Sequence, residues 1–264
     1  MRLKLYPTVI CFFILYSLSI KGDNFVCDDI CYRIHPTDKT VIVVYCNKKD
    51  TSIFIPNSVN HDGVTYVVSG IDYWALNNCT NVKQIHFPAT CKNIRSGCFR
   101  YCSSLERITV SPDNPVLKDI DGVLFSKTGE QLICYPTNKE GRMYSIPKGT
   151  KIICESAFFK CRDLERLDIP QSVTTISNAA FMNCINLKTV NIPLLVQELS
   201  DFAFYGCIQL KTISVHNPKI KYIGEYTFSK ETFENATLIV PSHVIDSFRR
   251  NKYWKRFSHI ITSN

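Results

Sequence analysis

Five cysteines set a ruler along this chain. Cys79, Cys102, Cys161, Cys184 and Cys207 are separated by 23, 59, 23 and 23 residues, and 59 is 23 plus 36. Eight positions before each stands Ile71, Ile94, Ile153, Ile176 or Leu199; three before it stands Leu76, Phe99, Phe158, Phe181 or Phe204. Three, six and eight positions after each come further apolar residues, from Val82, Ile85 and Phe87 in the first unit to Leu210, Ile213 and Val215 in the last. A 23-residue unit cannot bury such a set alone, so neighbouring units must stack and share one continuous core.

The spacing inside the unit predicts its parts. The segment L-x-x-(I/V)-x-(I/V) alternates with period two and is closed by Pro88, Pro170 or Pro193, as a short strand would be. The preceding A-F-x-x-C-x-x-L has a three-residue spacing that suits a helical or 3₁₀ turn. The expected fold is therefore an α/β repeat solenoid, a right-handed stack of short parallel strands ~4.8 Å apart with helical turns between them.

Degenerate units flank and interrupt the regular ones. Residues 23–70 read as an N-terminal β cap whose front hairpin joins Cys31–Ile34 to Val41–Tyr45. Residues 71–241 read as the solenoid, with a β-hairpin insertion near 112–147. Residues 242–264 are expected to form a capping helix, N-capped by Ser242 and covering the open end with Val244, Phe248 and Trp254.

Ahead of the caps, residues 1–22 carry Arg2 and Lys4, an apolar run from Val9 to Ile20, then Lys21 and Gly22. That run is short for a membrane span and fits a signal peptide, so secretion or display at the cell surface is expected, with no transmembrane segment after cleavage. Losing Arg2, Lys4 and Lys21 lowers the formal charge from +8 to +5. The composition, 45% hydrophobic and 20% charged, excludes a disordered chain, and no glycine loop that could cradle a phosphate stands out.

The unit I-x-x-x-A-F-x-x-C-x-x-L-x-x-(I/V)-x-I-P resembles the BspA-type leucine-rich repeat of bacterial and protist surface proteins. The front block Ile53–Val59 with Gly63–Ile71, the stretch Asp113-Asn114-Pro115 to Asp121–Phe125 and Tyr135-Pro136, and the end Val240-Pro241 to Trp254 are similar to Bacteroidales members. The resemblance implies a non-enzymatic protein of adhesion or host interaction, with an extracellular matrix or surface protein as partner. A glycan-binding or scaffolding role in the cell envelope is the alternative.

The groups that could carry chemistry fall mostly into core slots. Cys98 takes a slot otherwise held by alanine, and Cys91 one otherwise held by valine, so seven cysteines read as core. Cys27, Cys31 and His35 have a metal-like spacing, but the segment reads as strand and lacks a fourth ligand. A disulfide across the front hairpin is expected instead, Cys31 to Cys46, or Cys27 to Cys46 with a slip. The histidines form no H-E-x-x-H and no triad-like setting, so neither an enzyme nor a cofactor is expected. Arg249, Arg250, Lys252, Lys255 and Arg256 are interleaved with aromatics as the solvated face of a cap, with no nucleic-acid partner. The outward strand positions Gln84/His86, Arg107/Thr109, Arg166/Asp168, Thr189/Asn191 and Thr212/Ser214 are expected to align into one polar binding stripe. Tyr73, Trp74 and Tyr101 are the aromatic platforms that a glycan would need.

Overall fold

Each unit closes on two strands. In the computed structural model, which describes residues 23–47, 49–95 and 97–263, the expected strand recurs as Gln84–Phe87, Arg107–Val110, Arg166–Asp168, Thr189–Ile192 and Thr212–Val215. A second strand of two residues recurs as Asn93–Ile94, Ile152–Ile153, Thr175–Ile176 and Glu198–Leu199. The expected export segment 1–22 lies outside the described residues. Both strand sets pair in parallel with their counterparts one unit on, as in Thr189↔Thr212 and Thr175↔Glu198. The molecule is thus a β-solenoid with a longer-stranded and a shorter-stranded row of parallel strands, each divided at the insertion into two sheets.

The segment between the two strands is not helical. Each copy has positive φ five residues and one residue before its cysteine: Ser156 and Lys160, Ala179 and Asn183, Phe202 and Gly206. A helix cannot contain left-handed residues every four positions. What holds them is a ladder between coils. The amide of Phe158 donates to Ala180 O (2.7 Å), that of Phe181 to Ala203 O (2.7 Å), and that of Phe204 to Thr227 O (2.8 Å). The amides of Lys160 and Asn183 donate likewise to Met182 O and Tyr205 O. Left-handed backbone costs ~1–2 kcal/mol per residue, and cross-coil bonds satisfying buried amides offset that cost.

Side chains follow the same register. Tyr135, Phe158, Phe181, Phe204 and Phe228 stack in one file, with successive centroids 4.9, 4.9, 5.0 and 5.4 Å apart. The cysteines beside them do more than fill space. The thiols of Cys102, Cys184 and Cys207 donate to Leu76 O, Phe158 O and Phe181 O in the preceding coil, at 2.9, 3.0 and 3.2 Å. All seven cysteines assigned to core slots are buried.

The insertion partitions the interior. Strands Leu117–Ile120, Val123–Ser126 and Gln131–Cys134 pair antiparallel in sequence, and the last of these starts the sheet of two-residue strands. Val123, Phe125 and Leu132 belong to the C-terminal core, whereas Leu124 and Cys134 belong to the N-terminal one. Asn114 ties the insertion's start to the coil before it. Its amide donates to Pro88 O and Cys91 O, at 2.7 and 2.8 Å, and its oxygen accepts from the amides of Val116 and Leu117. Asn217 repeats the arrangement at the far end, donating to Val196 O and accepting from Lys219 N.

The ends differ from each other. At the front, Asn24–Cys27, Ile30–Ile34 and Thr40–Cys46 form an antiparallel set that joins Val64–Ile71 in parallel. The expected C-terminal capping helix is reduced to Ile245–Arg250, and Ser242 makes no side-chain cap. The chain then forms a strand, His259–Ser263, parallel to Thr237–Pro241, because amides left open by the last coil are better satisfied by one more strand. Phe248, Tyr253, Trp254 and Phe257 are buried against the end of the aromatic file, and the five cations between and beside them are exposed.

Two substitutions test this construction. Asn183→Gly leaves stability unchanged or slightly raised, whereas Asn183→Val lowers it by ~1–2 kcal/mol, the price of a β-branched residue in left-handed backbone. A helical turn would show the opposite order for glycine in urea titrations. Asn114→Ala removes four hydrogen bonds, three of them buried, and lowers unfolding free energy by about 2–4 kcal/mol in the same assay.

Candidate functional site

The residues expected to form a binding stripe do project outward, partly or fully exposed. Cross-strand register places Gln84 opposite Arg107 and His86 opposite Thr109. It also places Arg166 opposite Thr189, Thr189 opposite Thr212, and Asn191 opposite Ser214. The stripe is not continuous, which corrects the expectation of a single row. The amide of Ile108 donates to Gly122 O (2.9 Å) and that of Val110 to Asp119 Oδ1 (2.8 Å). The inserted hairpin thus takes the edge on which the next coil would pair. One block therefore holds Ser52–Phe54, Gln84–Phe87 and Arg107–Val110, and the other begins at Met143–Ser145.

Against the first block lies a cleft of about 760 Å³, lined among others by Ser52, Gln84, Arg107, Asn138 and Glu140. Its wall at 138–140 comes from the insertion's return segment, which the sequence pattern did not single out. That wall is anchored. The amide of Asn138 donates to Leu105 O (2.8 Å), and Lys139 Nζ bonds Asp121 O at 2.7 Å and its carboxylate at 3.0 Å.

The face itself is built from short-range polar pairs. His86 Nδ1 and Thr109 Oγ1 are 3.0 Å apart, and Asp168 accepts from Ser145 Oγ (3.0 Å) and Arg166 Nε (3.2 Å). His216 Nε2 lies 3.0 Å from Asn191 Oδ1. Along one margin runs a row of alternating charge: Lys83 pairs with Glu106 at 3.1 Å, and Glu165 lies between Arg142 and Lys188. The hydrogen bond from Lys188, reinforced by Arg142, holds the Glu165 carboxyl below its usual range. Phe54 and Met143, 59% and 60% exposed, put an apolar side chain at the outer strand of each block. Such a face offers many weak contacts with a few arginine and aromatic anchors.

Burial suppresses ionisation at two of the cysteines. Burial pushes the thiol of Cys91 up to about 12 and that of Cys154 up to about 11, which leaves little thiolate at neutral pH. The expected Cys31–Cys46 disulfide is not formed. A bulge in the front hairpin sets Cys31 opposite Tyr45 and Cys46 opposite Ile30, so the two side chains leave opposite faces of the sheet. Slipping does not bring Cys27 to Cys46 either, because Ile30 stands between them in the cross-strand row. Cys27 and Cys31 lie on different strands, and among the described residues no cluster of metal-ligating side chains occurs. Nor is any described helix long and apolar enough to cross a membrane.

Coiled parallel strands, a shared apolar file and an exposed strand face together define a leucine-rich-repeat solenoid. A family model of the BspA type leucine rich repeat region matches residues 52–140 and 137–247, with 6 copies, and the chain belongs to that family. Among solved structures it is similar to a leucine-rich repeat protein from Eubacterium ventriosum, at 24% identity and a TM-score of 0.61. That match covers 74% of this chain and 52% of the other, so the chain spans about half the length of that relative. The pneumococcal vaccine antigen PcpA aligns over 92% of this chain and 99% of its own at 16% identity and a TM-score of 0.48. A leucine-rich repeat protein from Bacteroides ovatus aligns over 90% and 76% at 19% identity and a TM-score of 0.44. No curated protein matches the sequence.

The register of the front hairpin is open to direct measurement. Peptide mapping of the protein without reductant yields no fragment joining Cys31 to Cys46; recovery of that cross-linked pair would contradict the pairing described above.

Proposed function

We propose that this chain is an exported recognition protein, secreted or held at the cell surface, that binds an extracellular protein along its longer-stranded row and performs no catalysis. The export reading rests on the basic and apolar start of the sequence. In this reading residues 71–241 are the recognition body, and 23–70 and 242–264 close its ends.

The observation that carries the proposal is the alignment of exposed polar side chains in two blocks, the first of which lines the cleft at Arg107. Each coil adds donors and acceptors at a spacing of ~4.8 Å, so affinity accumulates along an extended partner. Arg107 is exposed at the cleft wall, and Arg166 is exposed on the second strand of the second block, each able to anchor an acidic or carbonyl-rich surface.

Surface plasmon resonance of the chain against a panel of extracellular matrix proteins tests this. With a partner in hand, Arg107→Ala combined with Arg166→Glu weakens capture at least tenfold while Tm stays within a few degrees, since both side chains are exposed. Unaltered capture by that double variant would remove the sheet face from consideration.

A further inference from the structure

A second hollow lies on another part of the surface, beside the turns. It has a volume of about 350 Å³, at the lower end of the ~300–1,000 Å³ typical of small-molecule sites. Its walls are the positions one before and one after the repeat cysteine. Tyr101 with Ser103 and Lys160 with Arg162 come from the two coils that flank the one carrying Tyr135 and Met143–Ser145. Asn138 and Asp163 also line it.

The cations in this hollow are crowded and, although the Asp163 carboxylate shares the lining, neither is drawn into an ion pair with it. Lys160 Nζ sits 4.4 Å from the centre of the Tyr101 ring, and Arg100 lies 4.4 Å over Phe159, whose ring is 5.1 Å from that of Tyr101. Neither Lys160 nor Arg162 makes an ion pair among the described residues. Partial burial, then the charges of Arg162 and Arg100, lower the pKa of Lys160. The feature is local, because the next two coils carry Asn183 with Ile185 and Gly206 with Ile208 at the same positions.

We propose that this hollow binds an acidic saccharide, its carboxylate or sulfate ester pairing with Lys160 and Arg162 and its ring resting on Tyr101. Three observations select that chemistry. The two cations, neither in an ion pair among the described residues, outnumber the single acid Asp163 in the lining and call for an anion. Tyr101 is 43% exposed and provides apolar ring surface for the C–H face of a sugar. The rest of the wall, Ser103, Asn138 and Asp163 among it, mixes hydrogen-bond donors and acceptors as a ring of hydroxyl groups requires. The site is separate from the sheet-face reading and does not depend on it, although Asn138 and Asp163 also line the neighbouring cleft.

Isothermal titration of the full chain with three oligosaccharides tests the site: a heparin tetrasaccharide, a hyaluronan tetrasaccharide and the neutral chitotetraose. At least one acidic ligand binds and the neutral one does not; the preferred acidic ligand tells a sulfate from a carboxylate. Lys160→Gln with Arg162→Gln weakens that binding tenfold or more, Tyr101→Ala weakens it at least threefold, and Lys160→Arg retains it. Lys252→Gln with Lys255→Gln, a neutralised pair on the C-terminal cap, leaves it unchanged. Circular dichroism and Tm of each variant confirm the fold. The proposal is overturned if neither acidic ligand binds, if the Lys160/Arg162 variant binds like the parent, or if the cap variant loses as much. A poly-glutamate peptide that binds as tightly, with no effect of Tyr101→Ala, would also overturn it in favour of an acidic peptide.

Discussion

The hydrogen bonds that run from one coil to the next fix everything else in this molecule. A buried amide needs an acceptor, and in the turn segments alternate amides point along the solenoid axis and find it in the following coil. That direction requires left-handed backbone twice per unit, and it holds the spacing of coils to that of hydrogen-bonded strands. Once the spacing is set, like side chains must lie above one another. Aromatic residues then stack in a file, and the thiols beside them reach the carbonyl one coil back.

A structure built this way propagates until something occupies its open edge. The insertion does so midway, giving Gly122 O and Asp119 to amides that would otherwise receive the next coil. Its central strand is buried on both faces, so it serves two cores at once and costs little in exposed apolar area. The same event creates the two concavities. A uniform stack would present a smooth face; the interruption leaves a cleft beside Arg107 on one side and the hollow beneath Tyr101 and Lys160 on another.

Much of this was legible as period. Ile153, Phe158, Cys161, Leu164 and Leu167 recur with a spacing of 23 residues in the next two units, and these five are buried as that recurrence requires. The outward assignment of Arg166, Thr189 and Thr212 followed from alternation alone and is matched by their pairing. Other features left no such trace. Ser156, Ala179 and Phe202 share left-handed backbone, yet none is a residue type that favours it, so a three-residue spacing resembled a helical turn. Strands of two residues, such as Thr175–Ile176, are too short to show alternation. The break in the stripe and the offset of Cys31 from Cys46 depend on pairing between distant segments, which spacing within one segment does not encode.

Residue-resolved hydrogen exchange on the native protein tests the cross-coil ladder most directly. The amides of Phe158, Phe181 and Phe204, though in turns, should exchange as slowly as those of the paired strand Thr212–Val215 and become exposed only on global unfolding. Exchange of these three amides on the timescale of ordinary surface loops, with the strand amides still protected, would contradict the account.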